Sequence, residues 1–70
     1  MIKELHYMVE LTNIDGIVEV ILVKEKDLAG FLSNYDSENY TVLNVHGIGP
    51  VNLDYTDFIK KEIELEKGKV

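Results

Sequence analysis

Two histidines, His6 and His46, and two glutamates in the same apolar-rich half, Glu10 and Glu19, are the side chains of this 70-residue chain best suited to metal ligation or proton transfer. His6 and His46 meet only if the segments holding them pair as strands. With Glu10 they still lack the closely spaced third ligand that a zinc site needs, so no metal is expected. Glu10 and Glu19 can share a sheet face, but nothing around them separates their proton affinities as a general acid and a general base require. Nucleophilic catalysis lacks a starting point, since there is no cysteine and Ser33 and Ser37 stand in no activating context. A domain this small also leaves little room for the pocket of roughly 300 Å³ at which small-molecule sites begin. The chain therefore reads as non-enzymatic, with no cofactor.

The remaining chemistry is that of a recognition surface. Tyr35, Asp36, Glu38 and Tyr40 bring aromatics and acids together on one stretch, and Asp54 and Asp57 open a second acidic segment that continues through Glu62, Glu64 and Glu66. Tyrosine is favoured at interfaces and ordered acids complement a basic partner, so Tyr35, Asp36, Glu38, Tyr40, Asp54 and Asp57 are the expected partner-binding residues. Taken singly each has a plainer explanation: Tyr35 as the last core residue of a helix, and Glu62, Glu64 and Glu66 as a solvated face shared with Lys60, Lys61 and Lys67. The total charge is harder to explain that way. Thirteen acids against seven lysines leave a net charge of -6, without one arginine to grip phosphates. A nucleic-acid binder shows the opposite footprint, so direct nucleic-acid binding is excluded and the expected partner is another protein with a basic surface.

Those residues must be positioned by a small α+β fold. Leu5 to Val23 holds two apolar-rich runs about Asn13-Ile14-Asp15-Gly16, which reads as a β-hairpin because Asp-Gly supplies the backbone angles of a tight turn. With Asp15 and Gly16 as the loop, Leu11 faces Val20 and Val9 faces Leu22. Tyr7, Val9, Leu11, Val18, Val20 and Leu22 then form one apolar face. A longer turn with Gly16 as a bulge shifts the pairing by one residue and puts one glutamate on each face. The first register segregates polar from apolar better and is the expected one. Its second face still holds Met8, Ile17, Ile21 and Val23, which a helix, the C-terminal tail or another subunit must cover. These four are the expected dimer interface, because 70 residues without a disulfide or structural metal make a marginal monomer and association, most simply as a homodimer, is a natural remedy.

Beyond the strands at about Lys3 to Thr12 and Ile17 to Lys24, the period changes. Leu28, Phe31, Leu32 and Tyr35 mark one stripe of a helix over about Glu25 to Tyr35, with Gly30 inside it as a site for close packing. Turn formers from Asn34 to Asn39 lead to a third strand, Tyr40 to His46. A right-handed crossover sets it beside the first, giving β-β-α-β in the order 2-1-3 with both outer edges free. In that strand Thr41, Leu43 and Val45 point one way, and Tyr40, Val42, Asn44 and His46 the other. Gly47-Ile48-Gly49-Pro50 stops the strand. This string resembles the hairpin of helix-hairpin-helix DNA-binding modules, which presents backbone amides to a phosphate. The resemblance covers four residues; the segment before it is β-branched and alternating, Leu53 stands where a small residue belongs, and Asp54 and Asp57 would repel the phosphate. It is expected to be a strand-to-helix turn. Tyr55, Phe58, Ile59 and Ile63 then recur at helical spacing after Asp54, with Gly68 as a stop, although Glu62 to Glu66 also alternates as an edge strand would.

The expected molecule is thus one α+β domain: a three-stranded antiparallel sheet packed on one helix and followed by a C-terminal helix. Met1 to Lys3 leads straight into the first strand and every apolar run is far shorter than the roughly 20 residues that span a bilayer, so a cytoplasmic, membrane-free protein is expected. Richness in Lys, Ile, Asn and Tyr without Arg or Trp is that of an AT-rich coding sequence, as in a low-GC bacterium or one of its phages. The expected function is a small acidic module that binds and inhibits a nucleic-acid-binding protein of the host. The alternatives are a small-ligand site at a dimer interface, lined by Gly47 to Pro50 and the helix after it, and a structural assembly subunit.

Overall fold

The computed structural model describes residues 4–50 and 52–67, so the Gly68 stop falls outside the described residues. Strands β1 (His6–Asn13) and β2 (Val18–Lys24) are followed by one 3₁₀ turn (Glu25–Asp27), helix α1 (Leu28–Asn34), strand β3 (Tyr40–Ile48) and helix α2 (Thr56–Lys67). The sheet is antiparallel throughout, in the order β2-β1-β3. The α+β class and strand order are those read from the sequence. Over 58–66 the helical spacing prevails over the competing edge strand, because it lets Ile59 insert fully into the core with Ile63 packed beside it.

The hairpin adopts the other register. Val9 pairs with Ile21, Leu11 with Glu19 and Tyr7 with Val23, one residue away from the expected pairing. The cause is the loop. Asn13 accepts from Gly16 N–H at 3.0 Å and donates to Ile17 C=O at 3.1 Å, enclosing three residues with Gly16 at φ 80° as a bulge. The Asn13 carboxamide oxygen holds this loop by accepting from Asp15 N–H at 2.9 Å and Ile17 N–H at 3.0 Å. A one-residue shift moves every β2 side chain to the opposite face. Ile21 and Val23 consequently join Tyr7, Val9 and Leu11 on the core side, and Val18, Val20 and Leu22 turn outward.

β3 departs from simple alternation as well. Glu10 pairs with Asn44 but Leu11 with Val42, leaving Leu43 as the extra residue of a bulge. The bulge brings Val42 onto the same side as Val45, and both are buried. The strand also runs past the expected stop, with Gly47 opposite Tyr7 and Ile48 opposite His6. The glycine-proline turn begins only at Gly49, and the element before it is a strand, where a helix-hairpin-helix module has a helix.

Both helices cover the same sheet face. Leu28, Phe31 and Tyr35 of the α1 stripe and Tyr55, Ile59 and Ile63 around α2 pack on Tyr7, Val9, Leu11, Val23, Val42 and Val45. Val9, Val45 and Ile59 are wholly buried, each contributing roughly 1.5–3 kcal/mol of transfer free energy. Tyr7 and Tyr55 meet edge to face at 5.2 Å, tying β1 to the entry of α2. Gly30 fills no tight contact: a Cβ built there meets nothing within 4 Å.

The two sheet edges are not alike, contrary to the expectation that both are free. Along β3, Gly47 N–H donates to Leu53 C=O at 2.7 Å and Tyr55 N–H to Val45 C=O at 2.9 Å. Val45 N–H donates to the Thr56 hydroxyl at 3.0 Å, and His46 and Asp54 form an antiparallel bridge. Among the described residues no strand lies outside β2.

Candidate functional site

The open β2 edge borders a groove. Between β2 and α1 lies a concavity of about 840 Å³, larger than the sequence led us to expect, with a predominantly apolar lining. Ile21 and Val23 form part of its floor, and Phe31 and Tyr35, with ring centroids 5.9 Å apart, form the helix wall. Glu19, Asp27 and Asp36 stand around it as exposed carboxylates, with Lys24 and Lys26 at the end nearest the 3₁₀ turn. Each wall has a local origin. The three-residue hairpin loop sets Glu19 on the helix side of β2, and Leu28, Phe31 and Tyr35 recur on one side of α1.

The structure divides the six expected partner-binding residues between two ends of the sheet. Tyr35, Asp36, Glu38 and Tyr40 cluster where β3 begins, opposite Asn13 of the hairpin loop. There the Tyr35 hydroxyl donates to the Tyr40 carbonyl, and Asp36 accepts from Glu38 N–H at 3.1 Å and from the Asn39 amide. Asp54 bridges to His46 just before α2, and Asp57 lies in the first turn of that helix. His46 is six residues along β3 from Tyr40, roughly 20 Å. Of the six, Tyr35, Asp36 and Tyr40 line the groove; Glu38, Asp54 and Asp57 do not.

The charges of these residues are held by their hydrogen bonds. The Asn39 side-chain amide does most to lower the Asp36 pKa; desolvation opposes it, and the backbone N–H groups of Glu38 and Asn39 add smaller lowering effects. The Thr56 hydroxyl and N–H lower that of Asp54, with a minor contribution from His46. Both carboxylates are therefore ionised throughout the neutral range. Burial raises the Tyr35 phenol, which stays a neutral donor. Asp36 as a fixed anion and Tyr35 as a neutral phenol beside an apolar groove are groups that recognise; nothing in these shifts poises a proton near neutrality.

No family model, curated protein or solved structure matches this chain. The geometry alone must carry the functional reading.

The sheet face turned away from the helices holds both histidines and Glu10. His6 and His46 are diagonal neighbours on it, opposite Ile48 and Met8, with Glu10 further along β1. The His6 ring nitrogen Nδ1 lies 2.8 Å from the Glu4 carbonyl. Among the described residues no three acidic or imidazole side chains gather as a metal would need. Of the expected dimer residues, Met8 lies on this open face and Ile17 is exposed at the loop, whereas Val23 is core and Ile21 packs against the core. The side chains that are apolar and outward are Val18, Val20 and Leu22, at 54, 57 and 59 % exposure. Sequence reasoning assigned these three to the core and missed Glu19, Asp27 and Phe31 as groove residues. A signal existed: Asn at the first and Gly at the fourth position of Asn13-Ile14-Asp15-Gly16 is the pattern of a type I turn, which calls for the three-residue loop. No helix among the described residues is long and apolar enough to cross a membrane.

Proposed function

We propose that this chain is a non-enzymatic interaction module that binds a basic surface of another protein and occludes it, inhibiting a partner whose surface otherwise holds nucleic acid. The observation that carries the reading is the open apolar groove rimmed by Glu19, Asp27 and Asp36, with Lys24 and Lys26 at one end only, in a chain of net charge -6. Apolar floor and acidic rim together suit a partner that buries apolar surface while matching charge. An arginine-free, lysine- and isoleucine-rich composition fits an origin in a phage or mobile element of a low-GC bacterium, and a host protein as target. The test is a pull-down from such a lysate with the purified chain as bait, washed at rising salt, followed by a nucleic-acid-binding assay of whatever is retained. One basic protein released by salt, and losing its nucleic acid when the chain is added back, is the expected result. Retention indifferent to salt, or a retained protein that binds nucleic acid undisturbed, would overturn the proposal.

A second reading, homodimerisation, is favoured by a separate observation. Val18, Val20 and Leu22 expose an apolar stripe on the open sheet face, where Met8 also lies, and such patches mark association surfaces. Sedimentation of the chain against a Leu22→Lys variant tests it: a dimer lost in the variant supports self-association, and a monomeric parent chain at high concentration refutes it.

A further inference from the structure

We propose that the β2 edge and the groove beside it receive one extended segment of the partner as an added antiparallel strand, and that this segment alternates aliphatic residues with arginine or lysine. The inference rests on the basic-partner reading and adds the mode and the sequence class of what is bound.

The hairpin ladder fixes which backbone groups of β2 are already used. Asn13 N–H to Ile17 C=O at 3.1 Å and Glu25 N–H to Leu5 C=O at 3.0 Å bracket the hairpin and set which β2 residues bond to β1. Bonding alternates along an antiparallel pair, so Ile17, Glu19, Ile21 and Val23 face β1. Val18, Val20 and Leu22 direct their N–H and C=O groups away from it. These are the groups an incoming strand pairs with. Natural edges are usually blunted by proline, bulges, inward charges or a covering segment. β2 has no proline and no bulge against β1, and its one lysine, Lys24, is its last residue; its one inward charge is Glu19, which a cation from the incoming strand would pair. The fold covers the β3 edge with residues 53–55 and leaves this one.

Side-chain alternation then defines the occupant. Residues directly opposite Val18, Val20 and Leu22 in an antiparallel pair point to the same open face, where they extend an apolar stripe and are best aliphatic. The residues between them point over the groove, toward Phe31 and Tyr35 and the carboxylates of Glu19, Asp27 and Asp36, which outnumber Lys24 and Lys26 at its 3₁₀-turn end. A long cationic side chain satisfies both: its stem lies on the apolar floor and rings while its head reaches the carboxylates. A second copy of β2 is a poorer occupant. It places its own Glu19 over the acidic groove, and each copy carries a charge of -6.

The experiment uses the full chain, ¹⁵N-labelled, and an end-blocked seven-residue peptide alternating valine and arginine. One version is N-methylated on the valines, whose amides would bond to β2, and another on the arginines, whose amides would point away. The expected result is binding of the parent and N-methylarginine peptides with amide exchange at Val18, Val20 and Leu22 slowed, and an affinity loss of about tenfold or more on N-methylating the valines. Val20→Pro removes one outward N–H that β1 does not use and should weaken the parent peptide similarly; were it to misfold, the two methylated peptides still decide. Equal binding of all three peptides, or binding without change at Val18, Val20 and Leu22, overturns strand addition and leaves the basic-partner reading standing. Protection of the same amides that rises with protein concentration alone means a second copy holds the edge, and also overturns it. Failure of every peptide while the pull-down retains a salt-released basic protein defeats only this inference; failure of both experiments defeats both readings.

Discussion

The two edges of the sheet are built from similar residues and treated oppositely. β3 runs to Ile48, and after Gly49 the chain comes back along its own outer edge, where Leu53, Tyr55 and Thr56 satisfy Gly47 and Val45 as α2 begins. β2 ends in a 3₁₀ turn that carries the chain across to α1 on the sheet face, so its outer backbone groups stay open beside a groove. The difference teaches where to look for function in a small domain that offers few other marks. An edge closed by the protein's own chain is structural, and a long edge left open with apolar side chains beside it is available to another chain.

The largest effect should come from breaking what closes the β3 side. Ile59→Ala removes a wholly buried side chain that seats α2 on the sheet, at a cost of about 2–5 kcal/mol, enough to unfold much of the population of so small a domain in a urea titration. Proline scanning compares the edges directly. Val45→Pro deletes an N–H that bonds to Thr56 and should cost about 3 kcal/mol or more, whereas Val20→Pro, whose N–H faces outward, should shift the urea midpoint far less. Equal costs would mean the β2 edge is closed in solution. Thr56→Val leaves the half-buried Val45 N–H without its acceptor, an expected loss of about 1–3 kcal/mol seen as a lower melting temperature and faster exchange of that amide.

Smaller effects sharpen the open side. Gly30→Ala places a methyl where nothing lies within 4 Å and should stabilise by up to about 1 kcal/mol through helix propensity, while narrowing the groove it lines. Acid should act most gently, and on the closed side. The Asp54 pKa is lowered in the folded chain, so the unfolded chain takes up protons first as pH falls. The stability Asp54 adds is complete above about pH 4 and is lost as pH falls through its folded value. An NMR titration should show the Thr56 amide shifting with the Asp54 carboxyl in that window, and a Thr56 amide indifferent to pH would refute the link.

Much of this was legible in the chain. Helical spacing of Leu28, Phe31 and Tyr35, and of Tyr55, Ile59 and Ile63, pointed to both helices and most of the faces they bury, although Glu25–Asp27 form a 3₁₀ turn, Phe58 of the same spacing stays exposed, and an edge strand over 58–66 was an open alternative. A right-handed crossover after a hairpin predicted the order β2-β1-β3. The hairpin register was not recovered, because residue patterning favoured Val18, Val20 and Leu22 as core while the Asn13 side chain stabilised a loop one residue longer. Burial preference is a sum over many weak choices, and a turn with two side-chain hydrogen bonds and a left-handed glycine can outweigh it. The β3 bulge was hidden for a similar reason: nothing in Tyr40 to His46 announces that Leu43 is the residue left out of the pairing.

The acidic groups of the candidate site follow the same division. That this chain is strongly acidic, free of arginine and cysteine, and rich in tyrosine is settled by composition, because charge and reactivity belong to residues wherever they fold. Which of those acids act together is not. Tyr35 and Asp36 share the groove with Glu19 and Asp27, while Asp54 and Asp57 stand at the far end of β3, since a strand of this length separates its two ends by more than any side chain reaches. The open edge was equally invisible in one dimension. Backbone N–H and C=O groups are the same in every strand, and only the path of the chain through space determines which of them another part of the molecule satisfies and which are left facing outward.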